Sequence, residues 1–119
     1  MIKKNFRLKE REVKKVLGKV KPFFSSGIVL NKKINKKTFN RFAIVIGAKS
    51  VNTNVSRTFF RRNFYDKIAN SKLFGDKYLE KTFYDFVFVV KKQTKLDRKK
   101  IETIKSFEND LNFLIKKVK

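Results

Sequence analysis

The chain has 119 residues, with 32 Lys and Arg against 10 Asp and Glu, a formal net charge of +22, and no Cys, His or Trp. Those absences exclude disulfides, zinc fingers, haem ligation and catalysis by Cys or His. With 41% hydrophobic residues and 14 Phe it can bury a core, unlike a disordered basic tail, and its length fits a single domain spanning residues 1–119. So positive a body repels itself and calls for a polyanion, nucleic acid first and an anionic membrane surface second. No apolar window reaches the roughly 20 residues of a membrane span, and the opening MIKKNFRLKE lacks the apolar stretch of a signal peptide. A soluble, cytoplasmic protein is the expectation.

Residues 9–20 place Val13, Val16, Leu17 and Val20 at helical spacing, in a helix cut short by Gly18 and Pro22. Residues 23–31 read as a strand with a break at Ser25–Gly27, followed by a polar turn over Lys32–Lys37. Residues 38–46 read as a second strand that forms a hairpin with the first. On it Phe39, Arg41, Ala43 and Val45 share one face, and Phe42, Ile44 and Ile46 the other. With both faces largely apolar, this strand is expected at the centre of the sheet.

After a loop over 47–54, with Asn54 or Ser56 as the candidate cap, a helix is expected over about residues 55–70. Phe60, Phe64 and Ile68 form its buried stripe, with Arg61, Arg62 and Tyr65 on the exposed flank. Residues 71–82 read as a turn centred on Gly75–Asp76, and 83–90 (FYDFVFVV) as the strongest strand. A final helix over about 98–118 is expected to be capped by Asp97, with Leu96 stapled to Ile101. The result is an α/β (α+β) two-layer sandwich, a small central sheet with helices in the order α-β-β(-β)-α-β-α. Its last strand follows a helical crossover and is placed to pair in parallel.

Chemistry borne by the protein finds little support. The carboxylates are scattered, Glu10 and Glu12 read as solvated charges around Arg11, and no phosphate-binding glycine loop is present. Binding is better supported. Four of the seven Arg lie between residues 41 and 62, and Arg57, Arg61 and Arg62 crowd the start of one helix, with Lys49 in the loop before it. Cations there oppose the helix dipole unless an anion sits among them, and a helix N-terminus favours a phosphate. Most Phe, including Phe60, Phe64, Phe86, Phe88, Phe107 and Phe113, have a home in the core. Any of Phe23, Phe24, Phe39 and Phe42 that faced solvent would be able to stack on an unpaired base.

Three stretches have a recognisable register: FRLKEREVKKVL, RFAIVIGAKSVNTN running into VSRTFFRRNFYDKI, and YDFVFVVKKQTKLDRKKIETIKSFENDLNFLIKK. Together they resemble the protein component of bacterial ribonuclease P over nearly the whole chain. That family opens its central helix with an Arg-Asn-Arg run, then Lys-Arg and a further Arg. Arg57 falls on the first Arg, Arg61 on the Lys and Arg62 on the next Arg, while Lys49 and the Arg7-Leu8-Lys9 stretch also fall in register. The chain departs from the signature at Thr58, Phe59 and Tyr65. The family's two first-helix aromatics fall on Val13 and Leu17, and a strand Tyr falls on Asn31.

The resemblance implies a left-handed β-α-β crossover and a role in 5′ maturation of precursor tRNA. The RNA subunit would be the catalyst, with Mg²⁺ bound on that RNA and no catalytic residue or cofactor in the protein. Arg57, Arg61, Arg62, Lys49, Arg7 and Tyr65 would meet the RNA subunit. Val13, Leu17 and Asn31 would line a cleft for the 5′ leader. The alternatives are a non-enzymatic RNA-binding module, such as a small ribosomal protein, and a cationic membrane-surface or DNA-packaging protein.

Overall fold

The computed structural model describes residues 2–18 and 21–118. Helices α1 (Glu10–Val16), α2 (Asn54–Ala69) and α3 (Ile101–Lys117) accompany strands β1 (Phe23–Phe24), β2 (Ile28–Ile34), β3 (Arg41–Val45) and β4 (Tyr84–Val90). The strand order is β1-β2-β4-β3. Phe86, Val87 and Phe88 are wholly buried. A strand shielded on both faces and apolar throughout belongs inside a sheet, and β4 lies between β2, antiparallel to it, and β3, parallel to it.

The expected hairpin between the second and third strands therefore does not form, because β4 separates them. The true hairpin is local: β1 folds back on β2, pairing Phe23 with Leu30 and Phe24 with Val29. Ser25 closes its turn, its hydroxyl donating to the Ile28 carbonyl (2.9 Å) and accepting from the Ile28 N–H (3.1 Å). Nor is Lys32–Ile34 a turn. These residues continue β2 opposite Tyr84–Phe86, and the chain turns only afterwards. β3, expected at the centre, is an outer strand. Its free edge is covered by the N-terminal arm, where Leu8 N–H donates to the Phe42 carbonyl (2.8 Å).

The alternation read on β3 holds. Phe42 joins Leu30, Phe86 and Phe88 in the core beneath α2 and α3. Phe60, Phe64 and Ile68 of α2 and Phe107, Leu111 and Leu114 of α3 are fully buried there. Edge-to-face ring contacts lock the layers, Phe64 against Phe88 at 5.0 Å and Phe60 against Phe107 at 5.1 Å. On the opposite face Val16 packs on Ala43 and Val87, flanked by Val13 and Leu17. Helices thus cover both faces, α1 adding a short layer to the sandwich. Val20, assigned to the first helical stripe, lies outside the described residues, and α1 ends earlier than expected, before Gly18 (φ 78°).

An ion cluster ties α1 to the sheet. Arg41 meets Asp85 with two parallel bonds (2.9 and 2.8 Å) and reaches Glu12 of α1 at 2.6 Å. Glu12 is therefore not a solvated charge. The Lys9 N–H that donates to its carboxylate (2.8 Å), and then Arg41, hold its pKa below the ordinary glutamate range.

Helix starts differ by a residue or more from expectation. Thr53, rather than Asn54 or Ser56, caps α2, its Oγ1 accepting from Ser56 N–H at 3.1 Å. Asp97 organises the turn before α3 by accepting from Lys99 N–H (2.9 Å), and the helix itself begins at Ile101. Ile101 is 64% exposed while Leu96 is buried, so the staple does not form; Phe113, 48% exposed, is not core.

Phe64 meets both β4 and its own helix neighbours, so its truncation leaves a cavity that rings cannot collapse into. Phe64→Ala is expected to cost about 3–5 kcal/mol in a urea unfolding titration.

Candidate nucleic-acid interface

The site is built where β3 ends and α2 begins. The connecting loop is pinned by the segment that leaves β4. Leu96 N–H donates to the Ser50 carbonyl (2.8 Å), and the Ser50 hydroxyl to the Lys91 carbonyl (3.1 Å). Lys95 Nζ donates to the Lys49 carbonyl (2.5 Å) and Arg98 N–H to the Ser56 hydroxyl (3.4 Å). These bonds bring Lys95, Arg98 and Lys99 beside Lys49 and the start of α2. KLDRKK, whose Leu96 and Asp97 read from the sequence only as a staple and a cap, is thus also part of the basic edge. Its charge run was the available signal, but only the pairing of the two loops gives it a place.

The three arginines of α2 divide by function. Arg57 is turned inward, its Nε donating to the Ile46 carbonyl (3.3 Å) and a terminal nitrogen to Asn54 Oδ1 (2.9 Å). It holds the loop against the helix, leaving part of its fork for a ligand. Arg61 lies one turn further on the same ridge and is exposed. Arg62 is exposed too, but about 100° around the helix. It faces a groove of about 720 Å³ between α2 and α3, with Phe59, Asp66, Arg98 and Glu108. The arginines therefore span two flanks of one helix end. Among the described residues no carboxylate is ion-paired with any of them.

Tyr65 is not on the exposed flank; it is only 4% exposed, with its ring edge-on to Phe64 at 4.9 Å. Burial raises its hydroxyl pKa, opposed by the nearby charges of Arg61 and Arg7. Arg7 lies on the N-terminal arm that edges β3, bridged to Phe42, close enough for its charge to act on Tyr65.

Val13, Leu17 and Asn31 are brought to a second surface. Val13 and Leu17 flank the contact of Val16 with Val87, and Asn31, buried, is the cross-strand partner of Val87. All three lie on the α1 face of the sheet. Its exposed aromatic is Phe24 on β1, with Lys91 Nζ 5.7 Å from the ring centre. Among the described residues there is no cluster of three or more side chains suited to hold a metal ion, and no helix long and apolar enough to cross a membrane.

Two solved structures of the Staphylococcus aureus RNase P protein superpose along the chain. One, at 18% identity and a TM-score of 0.71, covers 96% of this chain and 95% of that one. The other, a mutant with defective mRNA degradation activity, gives 18% identity and 0.67 over 95% and 87%. The fold is that of an RNase P protein. No protein-family model matches the sequence, and no curated protein matches it. In the RNase P fold of this chain, the basic edge at the start of α2 and the α1 face are separate surfaces of one sheet.

Arg61 and Arg62 carry the exposed charge of α2 and make no contact the core needs. Replacing both by Ala is expected to lower the log–log salt slope of RNA binding by about one to two units. The circular dichroism spectrum should be unchanged; an unaltered slope would place the contact elsewhere.

Proposed function

We propose that this chain is the protein subunit of ribonuclease P, an accessory subunit of an endoribonuclease whose catalyst is RNA. It binds the catalytic RNA subunit and the 5′ leader of precursor tRNA and assists 5′ maturation of tRNA. The observation that carries this reading is the RNase P fold with a basic edge where β3 passes into α2, a helix whose Arg57, Arg61 and Arg62 make no ion pair among the described residues.

The chemistry of such a role is electrostatic. Arg61, Arg62, Lys49 and Arg7, with the outward part of Arg57 and the neighbouring Lys95, Arg98 and Lys99, meet phosphates of the RNA subunit. Tyr65 supports them from beneath the Arg61 ridge. Each neutralised phosphate releases condensed counterions, so affinity falls steeply with salt. Val13 and Leu17 offer the leader a shallow aliphatic surface, with Asn31 buried on the same face, which makes leader binding weaker and less dependent on base identity. Mg²⁺ would be held by the RNA subunit and would supply Lewis-acid chemistry for the hydrolysis there. The protein's cations relieve phosphate repulsion around that site, holding substrate and RNA-bound metal together.

The test is reconstitution with the RNA subunit from the same source. Added protein should raise the rate of precursor-tRNA cleavage at low Mg²⁺, with the gain shrinking as Mg²⁺ or salt rises. No gain, with the protein instead sedimenting with a ribosomal subunit after a salt wash, would favour the ribosomal-type module.

A further inference from the structure

A third surface lies at the opposite end of the sheet. Lys32 on β2 and Tyr84 on β4 share the face of Leu30 and Phe86, but sit where cover by the helices runs out, beside Lys117 at the end of α3. The connection before β4 borders the other side. Between them is a hollow of about 680 Å³ lined by Phe23, Lys32, Tyr78, Lys81, Tyr84 and Lys117. Clefts of about 300–1,000 Å³ are the usual size for a small ligand or one nucleotide. Glu80 is the one carboxylate in its lining, and Leu79, 88% exposed, stands at the rim.

The cations here are held by rings. Lys32 Nζ lies 4.3 Å from the centre of the Tyr84 ring and 5.6 Å from that of Phe23. Lys117 Nζ lies 4.9 Å from the ring centre of Phe113, which is itself exposed. Tyr78 is anchored by its hydroxyl, which donates to the Thr82 carbonyl at 2.6 Å. Aromatic faces interleaved with surplus ammonium groups match a base on a phosphate chain. The rings supply stacking and the lysines reach the flanking phosphates.

We propose that this hollow binds an unpaired nucleotide of an RNA strand, its base on the Tyr84 and Tyr78 rings and its phosphates on Lys32, Lys81 and Lys117. It is distinct from both surfaces described above. The loop into α2 leaves beyond Val45, which pairs with Val89, five residues along β4 from Tyr84 and so roughly 17 Å away. The α1 surface is on the other face of the sheet. This inference goes beyond the ribonuclease P reading and does not depend on it.

The protein has no Trp and three Tyr, two of them in the hollow, so stacking can be followed by tyrosine fluorescence. In a Tyr65→Phe background, a short oligouridylate should quench the emission saturably. Lys32→Gln with Lys117→Gln should weaken that binding by about tenfold. The charge-matched pair Lys14→Gln and Lys15→Gln, on the exposed side of α1, should change it by no more than about twofold. Tyr84→Leu should reduce both quenching and affinity; if it unfolds, the lysine pair still decides. Absence of quenching, equal losses in both lysine pairs, or quenching by hexaglutamate in preference to the oligonucleotide would overturn the proposal. The last would assign the hollow to an acidic protein segment. Precursor-tRNA cleavage by the reconstituted enzyme is read separately, so quenching seen in the unaltered hollow but weakened in the Lys32→Gln, Lys117→Gln protein supports the hollow whatever the outcome for cleavage.

Discussion

Burial of Phe86, Val87 and Phe88 on both faces of the sheet governs the placement of everything else. An apolar strand of this kind can be satisfied only between two others, and it takes β2 on one side and β3 on the other. Parallel pairing of β3 with β4 then requires a crossover, since no tight turn joins parallel neighbours. α2 is that crossover. Its first turn must follow the end of β3, and the chain leaving β4 must emerge beside it. The meeting of Lys49 with Lys95, and of Ser56 with Arg98, is thus a consequence of sheet order. Open α/β sheets bind ligands at the carboxyl ends of their strands for the same geometric reason.

Charge is distributed by the same logic. Glu12 and Asp85, two of the ten carboxylates, are consumed by Arg41 in fastening α1 to the sheet. Breaking one partner of so enclosed a cluster would leave an uncompensated charge, which is costlier than losing a surface pair. The remaining acids are too few to neutralise the surface, and none pairs with the arginines of α2 among the described residues. Within that cluster Arg57 serves the loop, whereas Arg61 and Arg62 project outward on two flanks. A ligand contacting both must wrap the helix end rather than lie along one side, which suits a folded polyanion better than a flat one.

Local periodicity was enough to read the helices from the sequence. Phe60, Phe64 and Ile68 face the core because a 3.6-residue repeat leaves them no other arrangement, and Phe107, Leu111 and Leu114 of α3 follow the same rule. Strand pairing was not legible, because two apolar strands adjacent in sequence look like a hairpin until a third with stronger claims on both neighbours arrives from 40 residues away. Tyr65, beside the stripe rather than on it, is buried because the core extends past Phe64 to take in its ring as well. Thr53 lost out to its neighbours on paper because Asn54 and Ser56 have equal capping chemistry. Only the loop's extended backbone at Thr53 selects it. The arginines of α2 were visible as a cluster, but their split into one inward and two outward groups depends on the Ile46 carbonyl. Lys95 and Lys99 reach the site only through the tertiary pairing of loops.

The proposed function requires RNA to dock on the edge assembled by those two loops. Lysine acylation of the protein, alone and bound to the RNA subunit, with modified residues mapped by mass spectrometry, tests it most directly. Protection of Lys49, Lys95 and Lys99 is expected on binding, with Lys14, Lys15 and Lys105 still reactive. Protection confined to the latter three, with Lys49, Lys95 and Lys99 labelled as in the free protein, would contradict it.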